Sequence, residues 1–336
     1  MPRRPTQTDV ARLAGVSQTL VSLVLNDNRP IAVPAATRKR ILDAVEELSY
    51  VRNTSGRQLR LQRAFRVAAV VPDITNLFYP SVVQGVQNVA DRNGYEVLVL
   101  ITDRILEKEL KVVRLGLEGS IDGVVAAFFQ VASDRLRRLV EWGVGVVRVE
   151  AHRRHDEEVG LDSVYIDNAG ASRDLVIHLI ERGHRRIGVI TSPQGPGPSR
   201  LRGYREAHRL HGLAVARGMV VAGDFSSESG HAAVAGLLAL PEPPTAIFAA
   251  NDMMAIGAST ALLERGLRIP GDVAVAGFDD IPVAGIIRPP LTTVAQDGVR
   301  MGERAAELLF ERLTAEAPLP GRSEQIPHRL IVREST

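Results

Sequence analysis

Short apolar runs alternate with amphipathic stretches from residue 66 to the end of this chain, and no other feature constrains the fold as strongly. Runs such as VAAVVPD and TAIFAAND are as long as buried parallel strands, and the stretches between them carry apolar residues at helical spacing. Such alternation is typical of parallel sheets covered by helices, and two successive sets predict two Rossmann-like lobes with a cleft between them. The expected strands span 67–73, 96–102, 122–129, 145–150, 185–192, 219–224, 245–252, 273–280 and 329–335, and the expected helices span 80–93, 107–118, 134–142, 170–182, 199–211, 228–239, 253–265 and 298–313.

Length and composition narrow the class of protein. The 336 residues are enough for two or three domains, and a hydrophobic share of 45% is that of a globular protein. No apolar run approaches the roughly 20 residues that a membrane helix needs, and TQTD follows Arg3 and Arg4 where a secretion signal would be apolar. The absence of cysteine excludes disulfides and thiolate nucleophiles. We expect a cytoplasmic protein with no membrane partner.

The stretch from Thr6 to Asn26 predicts two short helices joined by a tight turn. Thr6 can cap the first helix together with Asp9 in a capping box, and Gly15 supplies a turn at positive φ. Ser17 can cap the second helix. The apolar residues of that helix follow the spacing of a buried stripe, formed by Val21, Val24 and Leu25.

The opposite face of the second helix is polar with one exception. Thr19, Ser22 and Leu23 point away from the buried stripe, and Gln18 and Leu20 flank it. This is the geometry of a recognition helix in the major groove of DNA, although an ordinary corner between two core helices would give the same pattern.

Charge is concentrated at the same end of the chain. Residues 1–63 hold eleven Lys or Arg against five Asp or Glu, whereas the whole chain carries only +2. A merely solvated basic surface is the alternative. Because the charge coincides with the helix-turn-helix, we favour a polyanionic partner at this end.

The residues of the helix-turn-helix carry a resemblance. The pattern T-x-x-D-V-A-x-x-A-G-V-S-x-x-x-V-S, matched from Thr6 to Ser22, resembles the headpiece of the LacI/GalR family of bacterial transcription regulators. The likeness continues through GLRIP, GFDD, PPLTTV and VREST. It implies an all-α helix-turn-helix headpiece followed by a periplasmic-binding-protein-like α/β effector domain. The implied boundaries are 1–51 for the headpiece, 52–64 for a hinge helix and linker, and 65–336 for the effector domain, with an N-lobe of about 65–165 and 295–325 and a C-lobe of about 166–294 and 326–336.

A third helix and the hinge complete the predicted DNA-binding part. Residues 34–48 form a helix with an apolar face of Ile41, Leu42, Val45 and Leu48, after a connection that is longer than usual for the family. The resemblance implies that the hinge folds on DNA and that Leu59 wedges into the minor groove, the alternative being that it covers the linker. Gly56 stands where the family usually has alanine, and Arg52 replaces a usual proline, so we expect the hinge to be less ordered without DNA.

Position 23 is a further departure from the family. Arginine is common there, whereas Leu23 can contact a thymine methyl group and cannot donate to guanine. The DNA-binding residues that pattern and resemblance together predict are Thr6, Ser17, Gln18, Thr19, Leu20, Ser22, Leu23, Asn26, Arg38, Asn53, Arg57 and Leu59.

Ligands of parallel α/β sheets bind beyond the carboxyl ends of the strands. In the first lobe this places Asp73, Asn76, Phe78 and Tyr79 near the cleft, with Leu77 replacing a common proline. In the second lobe the resemblance implies that Arg200 anchors ligand hydroxyls or a carboxylate, that Phe225 stacks on a sugar face, and that Asn251 and Asp279 hydrogen-bond the ligand. Asp252 is expected to cap the helix that follows it. A surface arginine, a core phenylalanine and two further helix caps are the plainer alternatives for the second-lobe residues.

Other motifs give weaker signals. His152 and His155 lie beside Arg153 and Arg154 in a loop that is more typical of solvated surface than of a metal site. The Gly195–Gly197 motif lacks the spacing of a dinucleotide fingerprint, so we expect no cofactor. We also expect no metal site and no catalytic site.

The sequence therefore predicts a homodimeric, ligand-responsive transcription regulator, most simply a repressor. Its partners would be a double-stranded palindromic operator and a sugar or related polyol, with purines an open alternative. A solute-binding protein would share the lobes but has no use for a headpiece. A sugar-modifying enzyme would need a catalytic pair, which the sequence does not offer.

Overall fold

The computed structural model describes residues 3–25, 33–51, 62–150 and 160–336. The chain divides into two compact units, residues 1–63 and 64–336, which are described separately. None of the helices in these described segments is long and apolar enough to span a membrane. Several predicted features lie outside the described residues, namely Asn26, Arg52, Asn53, Gly56, Arg57, Leu59, His152, Arg153, Arg154 and His155.

The first unit is a small three-helix domain of α1 (Gln7–Ala14), α2 (Gln18–Leu25) and α3 (Ala35–Glu47). Its centre is formed by Val10, Val21 and Ile41, which have no exposed surface. The prediction that Leu42 belongs to the buried apolar face of α3 was wrong, because Leu42 is 47% exposed. Adjacent helical residues are about 100° apart, so Leu42 cannot share the buried direction of Ile41, and Ala44 takes its place in the core.

The predicted helix ends of this unit are confirmed. Thr6 and Asp9 form a capping box, in which the Thr6 hydroxyl donates to Asp9 at 2.6 Å and the Asp9 amide donates back at 3.4 Å. These bonds lower the pKa of the Asp9 carboxyl. Gly15 ends α1 at φ +64°, and the Ser17 hydroxyl accepts from the Leu20 amide at 3.3 Å. Two short helices are thereby fixed by local bonds.

The second unit begins with a parallel six-stranded sheet whose strand order is β11-β5-β4-β3-β1-β2. Together with the helices on it, this sheet is called the first lobe. Of the nine predicted strands, all eight before the final one are present, and four of these eight belong to the first lobe. The elements of the first lobe are β1 (Arg66–Val71), α4 (Phe78–Arg92), β2 (Glu96–Ile101), α5 (Leu106–Leu117), β3 (Gly123–Ala126), α6 (Ser133–Glu141), β4 (Gly145–Glu150), β5 (Asp162–Tyr165), α11 (Gly298–Thr314) and β11 (Ser323–Gln325).

A parallel four-stranded sheet of order β7-β6-β8-β9 forms the second lobe, and an antiparallel pair, β10 with β12, accompanies it. The strands β6 and β8 are wholly buried, which explains their unbroken apolar runs. The elements are α7 (Asn168–Glu181), β6 (Ile187–Thr191), α8 (Gly197–Leu210), β7 (Val220–Ala222), α9 (Ser227–Leu238), β8 (Ala246–Ala249), α10 (Asp252–Glu264), β9 (Ala274–Ala276), a 3-10 turn (Pro282–Gly285), β10 (Thr293–Ala295) and β12 (Arg329–Ile331).

The chain passes between the two lobes three times, after β5, between β10 and α11, and between β11 and β12. Helix α11 thereby returns to the first lobe, where it packs on α4. The two helices approach closely because glycines face each other: a Cβ on Gly85 would lie 2.1 Å from the Val299 carbonyl oxygen. The short strands β5, β10 and β11 were not predicted, because their residues lack the apolar alternation of a strand.

Candidate DNA-binding face and effector cavity

Helix α2 of the small unit presents an exposed face. Gln18 and Thr19 are exposed, Leu23 is 36% exposed, and Leu20 and Ser22 are half-buried at its edges. The side chains of Thr6 and Ser17 serve as helix caps, so their predicted DNA contacts would have to come from the same hydroxyls or from nearby backbone N–H groups. Arg38 is exposed on α3. The remaining predicted DNA contacts, Asn26, Asn53, Arg57 and Leu59, lie outside the described residues.

A cavity of about 210 Å³ lies in the second unit. It is bordered by residues that follow β1, β3, β6 and β8, the central strands at which the strand order of each lobe reverses. Such reversal points are where α/β sheets bind ligands, because neighbouring loops diverge there. Seven of the eight predicted effector residues line this cavity: Asn76, Phe78, Tyr79, Arg200, Phe225, Asn251 and Asp279.

Asp73 is the predicted residue that does not line the cavity. Its carboxylate accepts from the amide and the hydroxyl of Thr75, at 2.7 and 2.8 Å. The side chain thus closes a local turn after β1 instead of facing the cleft.

Arg200 and Asp279 form a buried pair on the cavity wall. Their side chains are 4% and 3% exposed, and 3.5 Å separates Arg200 Nη1 from Asp279 Oδ1. Arg200 Nε also donates to Asn168 Oδ1 at 2.8 Å, Nη1 donates to the Ala250 carbonyl, and the guanidinium lies 3.6 Å from the centre of the Phe278 ring. Burial raises the pKa of Asp279 to about 7, an effect that the nearby Arg200 charge opposes.

The prediction that Asp252 caps α10 is wrong. Asn251, not Asp252, caps α10, since its Oδ1 accepts from the Met254 amide at 2.9 Å. Its Nδ2 donates to the Phe225 carbonyl, also at 2.9 Å. Asp252 is fully buried instead and accepts from Ile281 N and Thr293 Oγ1. The cap falls one residue earlier because the strand ends before Asn251, and this leaves Asn251 with its hydrogen bonds directed to the protein.

Several cavity residues escaped prediction. Arg104 follows β2, Phe128 and Phe129 follow β3, and Gln296 follows β10. Sites in α/β sheets form at the carboxyl ends of the strands. The same signal therefore points to Arg104, Phe128 and Phe129, because they follow β2 and β3. Gln296 could not be found that way because β10 was itself not predicted. Its Nε2 donates to Asp279.

Backbone strain coincides with the cavity. Arg104, Phe225 and Asp279 have φ angles of +59°, +74° and +123°, which non-glycine residues seldom adopt. Residues held in such regions cost of order 1–3 kcal/mol each and tend to cluster at ligand sites. Gly195 also has a positive φ, and a Cβ there would lie 2.5 Å from the Phe129 ring, so residues of the two lobes meet at the cavity edge.

Comparisons with known proteins agree for both units. Residues 6–53 match the family model described as bacterial regulatory proteins, lacI family, and residues 176–336 match that of a periplasmic binding protein-like domain. The chain is 39% identical to the HTH-type transcriptional regulator CelR of Thermobifida fusca over 99% of its own length and 98% of the relative's.

Two solved structures are similar over almost the whole chain. The complex of the transcriptional regulator CelR with cellobiose is 35% identical, with a TM-score of 0.72 over 99% of this chain and 100% of that one. The Lac repressor dimer bound to operator and the anti-inducer ONPF is 25% identical, with a TM-score of 0.84 over 99% of each chain.

Proposed function

The chain belongs to the lacI family of bacterial regulatory proteins, and from that premise we propose that it is a ligand-responsive repressor that binds a palindromic operator as a homodimer. Its relatives are transcription regulators, so it is a regulator and not an enzyme. One observation carries the proposal: a helix-turn-helix with an exposed outer face is joined in one chain to a domain with a polar and aromatic cavity.

The headpiece, residues 1–51 in our assignment, supplies the DNA contacts. The exposed side chains of Gln18, Thr19 and Leu23 face base edges, and Arg38 contacts phosphates. The N-termini of α1 and α2, at Thr6 and Ser17, add N–H groups for phosphate oxygens. Residues 52–64 act as the hinge, through which Leu59 reaches the minor groove. Operator binding places the protein with the chromosome in the cytoplasm.

The effector domain, residues 65–336 in our assignment, mediates dimerisation. Strand β2 is at the edge of the six-stranded sheet, and its side chains include Val99 and Ile101, which are 46% and 41% exposed. Ile74 follows the neighbouring strand β1, and Ile105 follows β2, with 47% and 42% exposure. Clustered apolar exposure of this kind favours a protein partner over water. A second copy of the chain is the partner that a palindromic site requires.

The cavity is the effector site. The structure of the relative CelR is a complex with cellobiose, and we propose a sugar-like effector for this chain also. Phe225 and Tyr79 offer aromatic faces to a sugar ring, and Asp279 and Asn76 offer polar groups. Arg200 holds the wall through its bonds to Asn168 and Asp279 and is available to ligand oxygens from the same wall.

Effector binding acts on DNA through the lobes. Both lobes contribute to the cavity, Phe129 from the first and Phe225 from the second. A ligand that binds one arrangement of the lobes more tightly stabilises that arrangement. The hinge continues directly into the first lobe, so the effect on operator affinity is expected to be a coupling of ~1–3 kcal/mol.

Selection of bound sequences from a random DNA pool by the full-length protein tests the proposal. A roughly 14 to 20 base-pair palindrome is expected to be enriched, and at least one sugar should then change the affinity for the selected site. Release from DNA would identify the sugar as an inducer, and tighter binding as a co-repressor. Salt-sensitive binding to all sequences, with no enriched site, would contradict the proposal, since it would mean that the headpiece holds only phosphates.

A further inference from the structure

The side chains that line the cavity include more cationic groups than anionic groups. Among the described residues that border it, two are arginines, Arg104 and Arg200, and one is a carboxylate, Asp279. Arg200 and Asp279 offset each other as a buried pair. Burial also raises the pKa of Asp279 to about 7, which reduces the negative charge near neutral pH. The described lining therefore offers no further carboxylate to Arg104. Outside the lining, the Arg104 charge lowers the pKa of Asp224 without forming an ion pair with it.

Arg104 is held between two aromatic rings by its loop. Its guanidinium carbon lies 5.7 Å from the centre of the Phe129 ring and 5.8 Å from that of Phe225. Phe129 belongs to the first lobe and Phe225 to the second, so the guanidinium sits where the lobes meet. The Gln130 side-chain amide donates to the Arg104 carbonyl, and the backbone has φ +59°. The side chain is thus held at the cavity by a strained loop.

The guanidinium lacks a polar partner within the part of the chain that the structure describes. Its Nε is buried and has no hydrogen bond, and no carboxylate there forms an ion pair with it. Aromatic rings attract a cation but are poor hydrogen-bond acceptors. A buried N–H donor without an acceptor destabilises the protein. Arg104 Nε therefore needs a hydrogen-bond acceptor, and a negatively charged acceptor would also balance the charge of the guanidinium.

We propose that the effector is an anionic sugar derivative of one ring, with a carboxylate or phosphate group bound by Arg104, a refinement that rests on the ligand-responsive function proposed above. A cavity of about 210 Å³ is below the roughly 300 Å³ at which ligand pockets usually begin, which favours a single ring. The aromatic side chains contact the ring, and Arg104 selects for the charge.

Calorimetric titration of the full-length dimer tests this inference. The ligands are D-glucose, D-galactose and D-ribose, each as the neutral sugar, the sugar acid and the phosphate ester. At least one anion should bind at least about tenfold more tightly than its neutral parent, with affinity that falls as NaCl rises. The acid and ester arms distinguish a carboxylate from a phosphate. Each ligand is also tested for its effect on operator affinity.

Variants separate charge recognition from folding. Arg104→Gln should lose at least about tenfold in affinity for the anion, and Arg104→Lys should retain part of it because the charge remains. Arg92→Gln is the matched control, since it removes one exposed arginine of the first lobe whose Nε donates only to the Asn88 carbonyl. It should bind the anion as the unaltered protein does. Equal melting temperatures of the variants would show that folding is intact.

Three results would overturn the inference. One is a neutral sugar that binds at least as tightly as its acid and ester, another is unchanged anion affinity in Arg104→Gln, and the third is no binding by any of the nine compounds. A neutral sugar that also alters operator affinity would reject the anionic effector while supporting the proposed regulator. Operator affinity that no compound alters would count against the ligand-responsive function itself.

Discussion

Leu23 is an apolar side chain on the polar outer face of α2, and it is 36% exposed. An aliphatic group in the major groove contacts a thymine methyl, whereas arginine donates two bonds to guanine. We expect Leu23→Arg to shift the preference at one base pair of each half-site toward G, by ~1–3 kcal/mol of discrimination. Selection from a random DNA pool measures it. An unaltered selected sequence would instead assign the base contacts to Gln18 and Thr19.

Asp279 should make stability depend on pH. Burial raises its pKa to about 7 from 3.8, so between these values the folded protein holds a proton that the unfolded chain has lost. The resulting stabilisation is complete below about pH 4 and is lost as the pH rises through 7. Asp279→Asn should flatten the decline in the free energy of unfolding from pH 4 to 7, as measured by urea titration. An unchanged slope would mean that another group, such as Asp252, dominates it.

At the scale of elements, the contact between α4 and α11 depends on glycine. A Cβ on Gly85 would lie 2.1 Å from Val299 O and 2.6 Å from Glu303 N, and these backbone atoms cannot move without shifting the helix. We expect Gly85→Ala to destabilise the effector domain by about 3 kcal/mol or more, measured by thermal and urea unfolding.

Gly236 is the matched control for this substitution. It is also a glycine within a helix, α9, but a Cβ there would meet nothing within 4 Å. Gly236→Ala should be neutral or stabilising by up to about 1 kcal/mol, since alanine is the better helix former. Equal losses in both variants would show that helix propensity, and not the close approach, controls stability.

At the scale of the whole molecule, a buried ion cluster ties together segments that are far apart in sequence. Asp162 on β5 has no exposed side-chain surface and accepts from Arg312 Nε and Nη2 at 2.7 Å each. It also accepts from Arg322, which precedes β11. Asp162→Asn should cost about 3 kcal/mol of unfolding free energy, because the buried Arg312 loses its counter-charge, whereas Arg322 keeps its ion pair with Glu311.

The exposed pair of Arg268 and Asp272 provides the comparison. It has similar geometry, with Nη2 2.9 Å from Oδ1, but it lies in water. Asp272→Asn should change the urea midpoint little. If the two substitutions had the same effect, burial of Asp162 would not be the cause.

The proposed dimer predicts an effect at the exposed edge of the first lobe. Val99→Glu places a charge among the apolar side chains of β2 and should weaken dimerisation at least about tenfold, as measured by sedimentation. Leu210→Glu alters a similarly exposed residue on α8 and should leave the dimer intact. Dimers of unchanged affinity in Val99→Glu would place the interface elsewhere.

The sequence by itself determined the features that depend on near neighbours. Caps such as Thr6 and the turn at Gly15 involve residues three or four apart, and buried strands such as β8 carry their apolar runs wherever they pair. The resemblance to the family then implied that Arg200 and Asp279 lie at the cleft, and both line the cavity.

The tertiary structure alone decided what depends on distant partners. The strands β5 and β11 are short and partly polar, and they form because Asp162 and Ser163 bond to Arg322 and Ser323 across about 160 residues of chain. Asn251 and Asp252 are positioned by bonds to Phe225 and Thr293, which lie 26 and 41 positions away in the sequence. Arg104 meets Phe129 and Phe225 only when both lobes are assembled. The local sequence pattern does not predict such contacts, because they form and contribute to stability only in the folded chain.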